Sequence, residues 1–255
     1  MKVVKVFKEN KQFTLFSILA LIVVGVAVFA PQIAPYDPLD AVMLESLQAP
    51  SSAHPFGTDK LGRDLLSRVI FGTRTSLVMT LCLVAVIFVI GTFLGVIAGY
   101  FGGIVDGVIM RIADMMISFP GLVLAIAIAG MLGPNLVNAV ISIAAVSWTK
   151  YARLARSMVL RVKKNLYYEA AVVNGTKTWK ILLVHVLPNM VTQMVVTAAA
   201  DIGTMMLELA SLSFLGFGAT APTPEWGLML NEGRTYMAKA PWLMIYPGIA
   251  IVICV

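Results

Sequence analysis

Apolar residues in this chain fall in long unbroken blocks; they neither alternate as in a half-buried strand nor keep to one stripe of a helix. Roughly twenty apolar residues carry a helix across a bilayer, and six blocks approach that length: about 13–34, 76–100, 107–132, 135–150, 190–217, and a last one that begins near Trp242. Only helices and closed barrels satisfy the backbone in lipid, and blocks this long predict helices. The expected fold class is therefore an all-α integral membrane protein with six spans. The last block has only fourteen residues, Trp242 to Val255, or about 21 Å of helix against a core of roughly 30 Å. That helix is expected to continue beyond Val255 in the full protein.

Composition agrees with this pattern. Hydrophobic residues make up 59% of the 255 positions, charged residues 13%, and the mean hydropathy is +0.90; soluble domains carry about 25% charged residues. The formal net charge of +6 would raise nucleic acid as a partner in a soluble protein. Here the basic residues follow topology instead. With the N-terminus inside, thirteen of the nineteen Lys and Arg lie on the inner side, as the positive-inside bias requires; the loop acids Asp37, Asp40, Glu45, Asp59, Asp64, Glu225 and Glu232 lie outside against Glu9, Asp106 and Glu169 inside, which adds little to that bias. Lys2, Lys5, Lys8 and Lys11 precede the first block, which suits an uncleaved anchor better than a signal peptide. Cys82 and Cys254 sit inside apolar runs and need no redox role. The expected division is an anchor helix and external segment, 1–75, followed by a transmembrane domain, 76–255, with an inner loop at 150–189.

Local features refine the picture. Pro31, Pro35 and Pro38 end the first helix. Thr58 or Asp59 is expected to cap a short amphipathic surface helix whose apolar side is Leu61, Leu65, Leu66 and Val69, with Arg63, Asp64 and Arg68 elsewhere. Gly91, Gly95 and Gly99 form a small-residue face that admits a close neighbouring helix. Pro120-Gly121 predicts a kink in the third span. The Gly- and Pro-rich run from Leu215 to Gly227 predicts a helix break, with Phe217 and Trp226 at the membrane interface.

Two spans carry charge. Arg111, Asp114, Met115 and Ser118 share one face of the third, and Asp201, Met205 and Glu208 share one face of the fifth. Such groups must face protein or water. One reading makes Asp114, Asp201, Met205 and Glu208 the lining of a pathway. The other has Arg111 snorkelling at the interface and pairing locally with Asp114, and Asp201 and Glu208 joining helices.

The segment 150–189 is the longest polar island. It holds eight basic residues and one acid, Glu169, between Lys150 and Lys180. Two short helices, 166–173 and 178–186, are expected about Gly175, which permits a left-handed turn. Ala170 and Ala171 allow a partner surface to come close, and Pro188 marks entry to the fifth span. Two short helices at an angle beneath a bilayer suit docking into a groove.

Glu169-Ala170-Ala171, Gly175 and Leu187-Pro188, with His185 two residues before the Leu, resemble the EAA loop of bacterial ABC importer permeases. His185 replaces the Ile common in that loop, as in the peptide and nickel branch. Gly57-Thr58-Asp59 with Leu61-Gly62-Arg63-Asp64, Arg111-Ile112-Ala113-Asp114, Tyr151-Ala152-Arg153, and Phe214-Leu215-Gly216 through Pro224-Glu225-Trp226-Gly227 are similar to the second permease of dipeptide, oligopeptide and nickel importers. The resemblance implies a six-helix type I importer permease fold in the bacterial inner membrane. It also implies a homologous permease partner, two ATPase subunits that use ATP and Mg, and an extracytoplasmic substrate-binding protein. Glu169, Ala170, Ala171, Gly175, His185, Leu187 and Pro188 would form the coupling segment.

Nothing in the chain supplies the energy itself. Gly175-Thr176-Lys177-Thr178 lacks the first Gly and the Gly-Lys pair of a phosphate-binding loop, so no cofactor is expected in this chain. His54 and His185 fall on opposite sides of the membrane, without a catalytic or metal-ligand cluster, so an enzyme is not expected. Within the importer family, Trp148 to Arg153 and Asp201 to Met206 look slightly more like nickel permeases, and nickel or a nickel chelate is the expected substrate ahead of dipeptides or oligopeptides. The fifteen methionines add nothing to this, since Met fills apolar interiors and is a soft ligand ill matched to hydrated nickel. Competing classes are a proton-coupled secondary transporter, with Asp114, Asp201 and Glu208 as relays, and a structural scaffold. The former commonly shows internal repeats, which are not evident here.

Overall fold

The computed structural model describes residues 11–255; Lys2, Lys5, Lys8 and Glu9 lie outside the described residues. Among those described, the regular elements are helical: α1 Lys11–Val28, α2 Ala30–Ile33, α3 Leu65–Phe101, α4 Gly103–Ile117, α5 Gly121–Leu132, α6 Leu136–Lys163, α7 Leu166–Val173, α8 Thr178–Ile181, α9 Leu187–Phe214, α10 Trp226–Gly233 and α11 Trp242–Cys254. A π-helical turn, Leu182–Val186, joins α8 to α9.

Three helical stretches are long and apolar enough to cross a membrane: α1, α3, and the continuous run Thr178–Phe214. A fourth crossing is available if α4 and α5 count as one span. These two helices meet at 92° across the break before Gly121, where Pro120 takes an extended ψ of 121°. The expected kink is thus a right-angle change of direction. α6 begins apolar and turns basic at Lys150, Arg153 and Arg156, and α11 is a shorter apolar helix.

Pro188 does not open a new element. The helix passes through it without interruption, because the π turn just before it widens the backbone ladder where the proline ring would meet a carbonyl one turn back. The amide N–H of Leu187 accordingly donates to the carbonyl of Leu182. The second expected short helix of the island, 178–186, is α8 and the π turn, which run on without a break into α9.

The described chain divides into two compact units. Residues up to 79 together with 209–255 form one, and 80–208 form the other. In the first, Trp226 is buried at 1% exposure and its indole N–H donates to the Val69 carbonyl at 3.1 Å. A Cβ on Gly72 would come within 2.8 Å of that indole nitrogen, so a glycine is required there. Trp226 therefore belongs to the core and not to the membrane interface. Glu225 starts α10 by accepting from the N–H groups of Gly227 and Leu228 at 2.9 and 2.8 Å, satisfying donors that a helix start leaves open. Burial pushes its carboxyl above the usual range, against the effect of those two bonds.

The cap of α3 also differs from expectation. Asp64, not Thr58 or Asp59, accepts from the Ser67 N–H and hydroxyl, both at 2.7 Å. Asp59 instead closes a turn by accepting from Leu61 N–H and Arg63 N–H at 2.8 and 3.0 Å, with Gly62 at φ +76°. No amphipathic surface helix forms here. Arg63 and Arg68 are each 1% exposed, and both face Asp59 and Glu232: Arg63 at 2.6 and 3.4 Å, Arg68 at 3.5 and 3.4 Å. Lys60 adds a third contact to Glu232 at 3.3 Å. Buried guanidinium groups demand paired acids, and this network supplies them.

In the second unit the glycine face of α3 packs on α6. A Cβ on Gly91 would lie 2.5 Å from the Trp148 carbonyl, one on Gly95 would overlap the Ala152 backbone, and one on Gly99 would stand 2.8 Å from the Val159 Cβ. Tyr151, Ala152, Ala155 and Val159 are fully buried at this seam. α4 is tied to α6 by charge: Arg156 meets Asp106 at 2.5 Å, and Arg153 meets Asp114 at 2.5 Å. The expected local Arg111–Asp114 pair is replaced by this contact with Arg153.

Candidate functional site

Two features of residues 80–208 bear on function. The first is a cavity of about 380 Å³ whose lining includes Ile87, Phe119, Lys150, Tyr151, Asp201, Thr204, Met205 and Glu208. Asp201 is 5% exposed, which an unpaired carboxylate would not tolerate. Its two oxygens are both engaged: the Lys150 ammonium donates to one at 2.6 Å and the Tyr151 hydroxyl to the other at 2.9 Å. Lys150 keeps 58% of its side chain exposed, so the pair joins an exposed cation to a buried acid.

Glu208 lies two turns along the helix from Asp201 and lines the same cavity. It is half-buried. Met205 is buried between them. The structure thus brings together three of the four residues considered for a pathway. Asp114 is apart from them: it does not line this cavity, its side chain is 60% exposed, and Arg153 holds it. Lys150 and Tyr151 were missed as members of the cluster. Their sequence signal is weak, since Lys150 reads as a helix exit and its partner lies fifty-one residues away.

The second feature is the island after α6. Asn165 starts α7, and the helix ends in a two-bond cap: Gly175 N–H donates to the Val172 carbonyl at 2.9 Å, and Thr176 N–H to the Ala171 carbonyl at 3.0 Å. That pattern requires a left-handed residue at its centre, and Gly175 has φ +68°. Glu169 and Ala170 are exposed, as are Val172 at 50% and Val173 at 86%. Ala171 is buried against its own chain, so only Ala170 of the expected pair is free to face a partner. Glu169 sits in the first turn of α7, where the helix dipole favours an acid.

His185 is half-buried, with its ring 6.0 Å from that of Tyr167. Leu187 is half-buried and Pro188 exposed. The island is anchored to the end of α3: Tyr100 donates its hydroxyl to Thr178 Oγ1 at 3.2 Å, and Lys163 donates to the Tyr100 carbonyl at 2.9 Å. Burial and the neighbouring Tyr100 push the Tyr168 hydroxyl above its usual pKa. Among the described residues no group of three His, Cys, Asp or Glu is arranged to hold a metal ion.

A helical membrane protein with a capped helical island and a cavity lined in part by charged residues has the parts of a transport subunit. Residues 91–255 match the family described as binding-protein-dependent transport system inner membrane component, and residues 2–50 match the N-terminal TM domain of oligopeptide transport permease C. The dipeptide transport system permease protein DppC of Alkalihalophilus pseudofirmus is 41% identical over 98% of this chain and 83% of its own length. The glutathione transport system permease protein GsiD of Pectobacterium atrosepticum is 43% identical over 92% and 78%. The probable D,D-dipeptide transport system permease protein DdpC of Escherichia coli is 39% identical over 99% and 85%. The chain belongs to the binding-protein-dependent transport family and is a membrane permease subunit of an ABC importer, with ATP hydrolysis residing in partner subunits. The expectation of nickel finds no support in these relatives, whose names specify dipeptides and glutathione.

Proposed function

We propose that this chain is the second permease of an importer for short peptides. The observation that carries the reading is the match over nearly the whole chain to permeases of dipeptide and glutathione systems. The peptide alternative therefore replaces nickel as the preferred substrate.

In this reading the N-terminus and the 150–189 island lie in the cytoplasm, a placement that rests on the excess of Lys and Arg there. The island, from Glu169 to Pro188, receives the motion of two ATPase subunits. Its exposed Glu169, Ala170, Val172 and Val173 and the glycine cap at Gly175 suit insertion into a partner groove. A homologous permease supplies the other half of the pathway, and an external binding protein delivers substrate. ATP and Mg are used by the partners; this chain needs no cofactor of its own. Asp201, Met205 and Glu208 line this chain's share of the pathway, and Asp114 serves the helix pairing seen with Arg153.

The test is ATP-dependent uptake by the reconstituted importer, offered a radiolabelled dipeptide or Ni²⁺. Peptide uptake that requires the ATPases and the binding protein is the expected result. Ni²⁺ uptake without peptide uptake would restore the nickel reading, and peptide uptake without the ATPases would favour a proton-coupled carrier.

A further inference from the structure

Residues 80–208 contain five carboxylates: Asp106, Asp114, Glu169, Asp201 and Glu208. Asp106, Asp114 and Asp201 are each matched by a basic side chain, Arg156, Arg153 and Lys150 respectively. Glu169 is exposed on α7. Glu208 differs from all of these. It is half-buried on the wall of a cavity, and among the described residues it has neither an ion pair nor a hydrogen bond.

The charge of the cavity follows from this pairing. Lys150 is neutralised by Asp201 at 2.6 Å, and the second oxygen of Asp201 is occupied by Tyr151. One carboxyl group is left without a hydrogen-bonded partner of its own, at Glu208, in the field of both Asp201 and Lys150. The rest of the wall is largely apolar, with Ile87, Met116, Ile117, Phe119, Val146 and Met205. A wall of this kind fits a ligand with one ammonium group and an apolar body, and its volume of about 380 Å³ is within the usual range for small-molecule sites. A lone carboxylate held away from bulk water gains most from a charge-assisted bond to such a cation.

We propose that Glu208 binds the free α-ammonium group of a peptide in transit and so makes this cavity selective for peptides with an unblocked N-terminus. The inference rests on the peptide reading above. Lys150 is not the counterpart for the peptide's carboxylate, because Asp201 already holds it; the site reads the amino end. Thr204, exposed on the same wall, offers a reporter position.

The experiment uses the assembled importer in nanodiscs with no binding protein present. Thr204→Cys is introduced with Cys82→Ala and Cys254→Ala, and labelling of this chain by a neutral maleimide is followed with Ala-Phe or propionyl-Phe added. The two probes differ only in the ammonium group. Ala-Phe is expected to protect at about tenfold lower concentration than propionyl-Phe, the worth of one charge-assisted bond, and Glu208→Gln is expected to erase the difference. Equal protection by the two probes in the protein that retains Glu208 overturns the proposal even if Glu208→Gln fails to assemble. A difference that persists in Glu208→Gln also overturns it. ATP-driven uptake of Ala-Phe is measured in parallel: uptake without an amine preference at the cavity sinks this inference alone, whereas no peptide uptake at all removes the peptide reading beneath it.

Discussion

Gly175 offers the sharpest test of the island, because its constraint is purely conformational. A Cβ placed there would meet nothing within 4 Å, so no clash arises within the chain. The constraint is the φ of +68°, which holds the two cap bonds to Val172 and Ala171. A left-handed conformation costs an ordinary residue roughly 1–2 kcal/mol, a β-branched one at least that, and Asn considerably less. A penalty of 1–2 kcal/mol changes a local equilibrium by roughly 5- to 30-fold. It acts on the cap and not on the membrane core, so the subunit should still insert and assemble. In ATP-driven peptide uptake by the reconstituted importer, normalised to subunit in the membrane, Gly175→Asn should stay near the parent, Gly175→Ala should fall several-fold, and Gly175→Val should fall to about a tenth or less. Parent-like uptake by Gly175→Val would refute the role of the cap. Equal damage from Asn and Val would refute the backbone argument and assign the requirement to a partner surface that leaves no room for a side chain.

Three further outcomes follow from the packing. Gly95→Ala should destabilise the detergent-solubilised protein by about 1–3 kcal/mol, read as a lowered Tm, because its Cβ overlaps the Ala152 backbone; Gly107→Ala, with nothing within 4 Å, should not. Glu232→Gln takes one counter-charge from two buried guanidinium groups and should cost on the order of 3 kcal/mol in chemical denaturation, the low end for a buried pair because Asp59 still faces both. Asp201→Asn should cost only about 1 kcal/mol, since Lys150 is 58% exposed, and a Lys150→Met, Asp201→Asn double variant should recover part of it; full additivity of the two changes would show that the pair is not coupled.

What the sequence determined by itself was local in origin. The apolar blocks set where helices run, because a backbone in lipid has no other partner than itself. The glycine face of α3 announced a close helix contact, Pro120-Gly121 announced a break, and Gly175 announced a left-handed turn, since each depends on the conformational range of one or two residues. The island's two-helix pattern was legible for the same reason. Its second half was misjudged as a separate element, because a proline reads as a stop unless a π turn relieves it.

Only the tertiary structure decided the rest. It placed Arg63 and Arg68 in a buried network with Glu232, more than 160 residues away, and moved Trp226 from the membrane interface into the core. It gave Asp114 to Arg153 and Asp201 to Lys150 and Tyr151, and so left Glu208 as the unmatched carboxyl group in the cavity. Which acid is paired depends on which helices lie side by side. Charge acts through space, and spacing along one helix face identifies candidates for pairing without revealing which of them already has a partner.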